Sequence, residues 1–403
     1  MPGTPSSAFP PAPITGRMDV LDGLRGIAAL AVVAYHFLAR WAEPQFEQTL
    51  YYHGDAFADF FPLQIAGRFG VCLFFLISGY VIMMTLERAR GLIDFAGKRA
   101  ARLWPAMLFC ATASTLIIDL SGTAYAYPGV ERWHVTAWEY VSSVFFVPPD
   151  LSAELFGYTQ SDRPRWVEGV YWTLWAEVRF YALIALAWWL SPRDRFIWVW
   201  CAIQGASTLT GFLMHMGVDG FALGAANLMF QPGELAWFTL GLVAWKFRSA
   251  VNIWPLYLVS GVAVFALLEG YVIDFNQGWP TLDDNAMGAL KLYACVALPF
   301  VLFLRGSRLL KPLTWKPLIA VGLASYPLYL FHERPGMAYM HWLNEAGVHP
   351  WIGVTIAFAV TVVTALLIHR YIEEPGKNGM LGLWKPVSER LERRFPRLKF
   401  KTA

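Results

Sequence analysis

The sequence predicts an all-α protein, a polytopic bundle of about ten transmembrane helices with both termini on the cytoplasmic side. Three observations lead there. Of 403 residues, 57% are hydrophobic and only 15% charged. Soluble domains carry about 25% charged residues, so the chain lacks the polar surface that a soluble protein of this size needs. About ten stretches are long and apolar enough for a bilayer crossing, which takes roughly 20 mostly apolar residues. Lys and Arg also alternate in density from one connection to the next, as expected when cytoplasmic loops hold the excess.

Residues 1–17 are rich in Pro, Ser and Ala. They lack the basic start and apolar run of a signal peptide and read as a disordered leader ahead of a membrane domain over 18–377. Candidate spans lie near 20–39, 68–86, 103–120, 170–190, 196–214, 227–245, 253–273, 286–304, 317–333 and 351–369. The segment 134–147 (HVTAWEYVSSVFFV) is shorter and carries Glu139. It reads as a re-entrant or interfacial helix, or as a further span, and charge chooses between them.

With the N-terminus inside and 134–147 not crossing, the inner connections hold Arg88, Arg90, Lys98, Arg99 and Arg102, then Arg193 and Arg195, then Lys246 and Arg248, then Arg305, Arg308, Lys311 and Lys316. The outer loops hold only Arg40, Arg68, Arg132, Arg163, Arg165 and Arg334. If 134–147 crossed, every later loop would invert and the bias would reverse. Residues 378–403 read as a basic cytoplasmic tail. Its stretch 391–401 (LERRFPRLKFK) suits either anionic lipid headgroups or the ordinary excess of positive charge inside.

Trp (19) and Phe (29) are plentiful, as expected where rings sit at membrane interfaces. Cys72, Cys110, Cys201 and Cys295 all fall in apolar stretches without metal-ligand spacing. They read as small core residues, and no metal is expected. No Rossmann or P-loop glycine pattern and no sequence repeat is present. The expected partners are the lipid bilayer and small molecules, with no nucleic acid.

Ionisable groups inside membrane segments are costly, and each is a functional candidate. The first helix, LDGLRGIAALAVVAYHF, carries Asp22, Arg25 and His36. Arg25 and His36 are eleven residues apart, about three full turns and a rise of about 16 Å, so they face the same way. Asp22 lies one turn before Arg25 and can pair with it. An extended pantetheine arm has a comparable length. An arginine could hold the phosphate end of coenzyme A while a histidine meets the thioester, although a buried ion pair plus a structural histidine would fit the spacing equally well.

The run LDGLRGIAALAVVAYHF resembles the first-helix signature of the acyltransferase-3 family, an Arg and a His with ten residues between them. GRFGVCLFFLISGYVI (67–82) is similar to that family's second helix. KRAARLWPA (98–106) resembles its pair of arginines two residues apart, here Arg99 and Arg102. WTLWAEVRFY (172–181) resembles the stretch with a membrane-embedded glutamate, here Glu177. SYPLYLFHE (325–333) and YIEEPGK (371–377) match later segments, so the resemblance runs in order over about 18–377. The soluble esterase-like domain of some family members is not expected here, since few residues follow the last expected helix. The resemblance implies transfer of an acyl group from a coenzyme A thioester, with acetyl-CoA the expected co-substrate, to a hydroxyl of a cell-surface or exported carbohydrate, or of a small molecule in some branches. It also implies that Arg25, His36 and the Arg99–Arg102 pair are essential.

Residue chemistry points the same way. Arg99 and Arg102, at i and i+3, share a helix face at the inner interface, where a cytosolic acyl-CoA would present its phosphates. Arginine's planar fork suits that task, although the pair also serves as topology charges. Glu177 sits in an apolar span. Arg179, two residues away, does not share its face, so Glu177 needs a partner from another helix. His36 is the first candidate, since a carboxylate that orients a histidine is a recurring catalytic arrangement. His332 ends its segment near the outer face and is a candidate for binding the acceptor, or a helix-end histidine. His369, Glu373 and Glu374 read as structural.

The expected chemistry has His36 take the proton of the acceptor hydroxyl, or accept the acyl group itself. The competing class is a proton-coupled transporter or flippase, against which no inverted repeat is evident. The expected location is the inner or plasma membrane.

Overall fold

The computed structural model describes residues 14–40, 65–121, 134–149, 164–218, 220–247, 253–276 and 286–400. Among the described residues the regular elements are helical, apart from a single bridge between Gly91 and Lys399. In chain order the helices are α1 (Ile14–Leu38), α2 (Ala66–Arg88), α3 (Leu92–Ser121), α4 (Ala137–Val144), α5 (Trp172–Leu190), α6 (Phe196–His215), α7 (Phe221–Phe230), α8 (Pro232–Lys246), α9 (Trp254–Asn276), α10 (Ala286–Leu304), α11 (Lys316–Leu323), α12 (Ser325–Leu330), α13 (Glu333–Glu345), α14 (Pro350–Ile368) and α15 (Glu374–Arg394). α1 begins at Ile14, inside the stretch expected to be leader, while 1–13 lie outside the described residues.

Among the described residues, five helices are long and apolar enough to cross a membrane. They are Met18–Leu38, Ala66–Arg88, Leu92–Leu120, Phe196–His215 and Pro350–Arg394. A sixth is reached if Leu290–Leu304 and Arg308–Thr314, bent by 99° to each other, count together. Two expected spans are broken. The stretch 227–245 is divided at Gln231, whose φ of 36° is left-handed, because Pro232 disfavours a right-handed helical residue before it. The Arg179 guanidinium donates to Leu228 O and Gln231 Oε1 there. It thereby serves the Leu228 carbonyl, to which Pro232 has no N–H to offer, the condition under which irregular backbone is tolerated at membrane depth. The stretch 317–333 is divided between α11 and α12 at Ala324, and helical geometry ends again at Phe331, with φ −128° and ψ 15°.

The ambiguous segment 134–147 resolves into α4, eight residues with a capping box in which Thr136 and Glu139 satisfy each other's backbone N–H groups. At about 1.5 Å per residue it is far too short to span, and Glu139 is spent as a cap.

α2 packs most closely against α8. A Cβ on Gly79 would strike the Phe238 carbonyl, and one on Gly241 the Leu76 carbonyl. These two glycines let the backbones touch, as small residues do between membrane helices. Beside them Phe180 stacks on Phe238 with centroids 4.2 Å apart. Buried Trp200 Nε1 donates to Thr239 Oγ1 (3.0 Å), which donates to Gln204 Oε1 (2.6 Å).

The segment expected to be a basic cytoplasmic tail packs against the bundle over its described residues, 378–400. α15 lies along the start of α3. Trp384 Nε1 donates to Ile93 O (3.2 Å), Arg90 pairs with Asp94 (3.4 Å), Glu389 (3.3 Å) and Glu392 (3.7 Å), and Phe400 N donates to Arg90 O (3.0 Å). Apolar contacts from Trp384 and Phe400 hold down a stretch that charge alone marks as a solvated tail.

A candidate acyl-transfer site

Five helices converge on a cavity of about 120 Å³. α1 contributes Arg25, α2 Phe74 and Ser78, α3 Arg99 and Arg102, α5 Thr173, Glu177 and Tyr181, and α12 Ser325, Tyr326 and Tyr329. Four of the six residues singled out from the sequence, Arg25, Arg99, Arg102 and Glu177, therefore line one space. Helical periodicity explains each pair: Arg99 and Arg102 are one turn apart on α3, as are Glu177 and Tyr181 on α5.

The three arginines differ in what already holds them. Arg25 donates to Asp22 at 3.1 Å. Arg102 pairs with Glu373, a fully buried carboxylate on the π turn His369–Glu373 that joins α14 to α15. Its guanidinium also lies 5.1 Å from the Tyr326 ring centroid. Arg99 has no ion pair with a carboxylate among the described residues. Its guanidinium rests between the rings of Phe95 (5.8 Å) and Tyr181 (5.7 Å), and its buried Nε has no hydrogen-bond partner. Arg99 is thus a cation held by rings and open to an anion.

Glu177 is not the partner of His36. Its Oε1 accepts from Ser78 Oγ at 2.9 Å and from the Tyr181 hydroxyl. The expectation failed because nothing local in the sequence says which polar group on another helix a carboxylate meets, while one donor, Tyr181, stood one turn along the same helix. Glu373, read as structural, turns out to be the counter-ion of Arg102.

His36 is paired instead with His332. The two rings meet at 68° with centroids 4.9 Å apart, and His36 Nδ1 lies 3.2 Å from His332 Nε2. Proton positions follow from the partners. His332 Nδ1 faces two carbonyls, Tyr329 O at 2.9 Å and Leu328 O at 3.2 Å, which only accept, so Nδ1 carries the hydrogen. In the neutral ring Nε2 is then bare and accepts from His36 Nδ1–H, which also donates to Val32 O at 2.9 Å. That leaves Nε2 of His36 without a proton, the state required of a general base. His332 is fully buried. Expected either to bind the acceptor or to be a helix-end histidine, it stands at the N-terminus of α13 with its ring against His36.

Tyr329 connects the cavity to the histidine pair. It lines the cavity, its ring centroid lies 5.8 Å from that of His332, and its hydroxyl accepts from Thr173 Oγ1 at 2.9 Å. Behind His332 lies a buried polar cluster that the sequence reading passed over. Glu168 Oε2 accepts from Arg334 N (2.9 Å), and Glu333 Oε2 accepts from Val170 N (3.0 Å). Burial and the neighbouring Glu333 carboxylate push the Glu168 carboxyl above the ordinary carboxylate range. Glu168 lies outside the apolar stretches, where no membrane-cost signal marked it.

Comparison with known proteins follows the same order along the chain. The family model described as an acyltransferase domain matches residues 18–370. The chain is 23% identical to the peptidoglycan O-acetyltransferase OatA of Listeria monocytogenes, over 92% of this chain and 57% of that protein. It is 25% identical to the O-acetyltransferase OatA of Staphylococcus aureus, over 88% of this chain and 56% of that protein. The chain thus spans little more than half the length of these curated relatives. No solved structure matches it.

Proposed function

Because this chain belongs to the acyltransferase family over residues 18–370, we propose that it is a membrane O-acyltransferase that moves an acyl group, acetyl in the first instance, from acyl-CoA to a hydroxyl of a cell-surface or exported carbohydrate. Its relatives include proteins named for O-acetylation of peptidoglycan, which supports a carbohydrate acceptor. The membrane proposed is the cell's inner or plasma membrane, crossed about ten times.

The observation that carries this reading is a division of labour along α1. Arg25 lines an arginine-rich cavity at one level, and His36, three turns along, presents a bare nitrogen at the other. The donor's anionic end would be held by Arg99, with Arg25 and Arg102 beside it, since a guanidinium donates charge-assisted hydrogen bonds to phosphate oxygens. The thioester would extend past Tyr329 toward the histidines. His36 Nε2 takes the proton of the acceptor hydroxyl as its oxygen attacks the thioester carbonyl. The C–S bond breaks, and the proton passes to the departing thiolate. The new ester leaves on the acceptor and coenzyme A leaves as the thiol. Glu177, held by Ser78 and Tyr181, acts within the donor cavity rather than on His36. The transporter reading draws no support from these relatives.

The test is thioester consumption by the purified full chain in lipid nanodiscs, with acetyl-CoA and a soluble glycan acceptor, reading free thiol and acylated glycan together. Thiol release matched by ester formation supports the proposal. Absence of both, from protein that remains folded, overturns it.

A further inference from the structure

Glu168 and Glu333 come from segments far apart in sequence and grip each other's backbone. Arg334 N–H donates to Glu168 and Val170 N–H donates to Glu333, at 2.9 and 3.0 Å. Both side chains are buried, with residue exposures of 0% and 6%. Gly169 completes the fit, since a Cβ there would lie 2.8 Å from both Glu333 carboxylate oxygens. The clamp encloses the break at 331–332 that carries His332, and Tyr171 OH secures the same break by donating to Leu330 O at 3.2 Å. Each carboxylate thus spends an oxygen on the backbone of the other's segment, and the second oxygen of Glu168 is buried with no hydrogen-bond partner. A bare anionic oxygen in that position is costly. Arg334, Ser114 on α3, the Cys110 thiol and the Tyr171 hydroxyl also face Glu168.

We propose that Glu168 is a positioning residue: with Glu333 it forms a buried carboxyl clamp across the two segments that fixes the 331–332 break, and with it the His332 ring that bares Nε2 of His36. This deepens the acyl-transfer reading and rests on it for its kinetic arm. A glutamine at 168 keeps a side-chain carbonyl that can accept from Arg334 N–H, which an alanine cannot.

The experiment uses the full chain in nanodiscs. The parent, Glu168→Gln and Glu168→Ala are labelled with ¹⁵N-histidine, and the His36 and His332 signals are assigned by their loss in His36→Gln and His332→Gln. In the parent both rings should report the Nδ1–H tautomer. Glu168→Gln should keep that pattern and most of the turnover. Glu168→Ala should lose the single tautomer at His332, and its turnover per folded molecule should fall about 100-fold, as misplacement of a reacting group by about 1 Å produces. Its donor KM should stay within about twofold, since the donor cavity is untouched and the loss falls on kcat. Glu168→Gln that loses the tautomer as Ala does would overturn the role of the acceptor for Arg334 N–H. Glu168→Ala that keeps both tautomer and turnover would overturn the positioning role. If Glu168→Ala fails to fold, Glu168→Gln alone decides. The tautomer readout needs no acyl transfer, so it stands even if the proposed activity fails.

Discussion

Arg99 and Arg102 look equivalent in sequence but should fail in different ways when removed. Arg99→Met deletes a cation without a carboxylate ion-pair partner among the described residues, so no buried charge is left behind. A charge-assisted hydrogen bond contributes about 1.5–3 kcal/mol, and each 1.4 kcal/mol is about tenfold in affinity. Coenzyme A binding should therefore weaken about 10- to 100-fold with no change in thermal stability. Arg102→Met strands Glu373, which is fully buried. Breaking a buried pair by removing one partner costs about 3–5 kcal/mol. His369 still donates to Glu373 at 2.6 Å, which puts the cost near the lower end, about 3 kcal/mol. Adding Glu373→Gln removes the stranded charge and should restore most of that stability without restoring donor affinity. The assays are calorimetric titration of coenzyme A at fixed ionic strength and thermal unfolding in detergent, on the same preparations. Parental coenzyme A affinity in Arg99→Met would refute the anion site. Parental stability in Arg102→Met, or no recovery on adding Glu373→Gln, would refute the counter-ion assignment.

Three further outcomes follow from the geometry. His36→Gln should fold and bind donor, yet lose about 100- to 10,000-fold in turnover per folded molecule; turnover within about threefold of the parent, a barrier change of only about 0.7 kcal/mol, would remove His36 as the base. Thr239→Val should cost about 1–3 kcal/mol, because it leaves the buried Trp200 Nε1 and Gln204 Oε1 short of a partner, while turnover per folded molecule stays at the parental level; equal thermal stability would show the chain to be idle. Impermeant thiol labelling of single cysteines on a cysteine-free background should leave positions 98–102 unlabelled in intact cells and label positions within 121–169; the reverse pattern would overturn the sidedness and the route of donor entry.

The sequence by itself determined a great deal here. Apolar length marked the candidate spans, and cost-of-burial reasoning picked Arg25, Arg99, Arg102 and Glu177, which share one cavity. That worked because a charge inside an apolar stretch is visible locally, and because helical spacing puts Arg99 and Arg102 on one face whatever surrounds them. Partners were a different matter. The sequence offered His36 a carboxylate and tertiary packing gave it His332, 296 residues later. It read Glu373 as structural and placed Arg179 off the face of Glu177 without naming its partner, and packing made one the counter-ion of Arg102 and the other the clasp of the Gln231 break. It read the last segment as a basic cytoplasmic tail without a partner in the bundle, and Trp384 packs it on α3. The physical reason is the same each time. Burial cost depends on a residue and its near neighbours along the chain, so sequence records it. Pairing depends on which helices lie side by side, and in an apolar medium any donor can satisfy any acceptor that packing brings within about 3 Å.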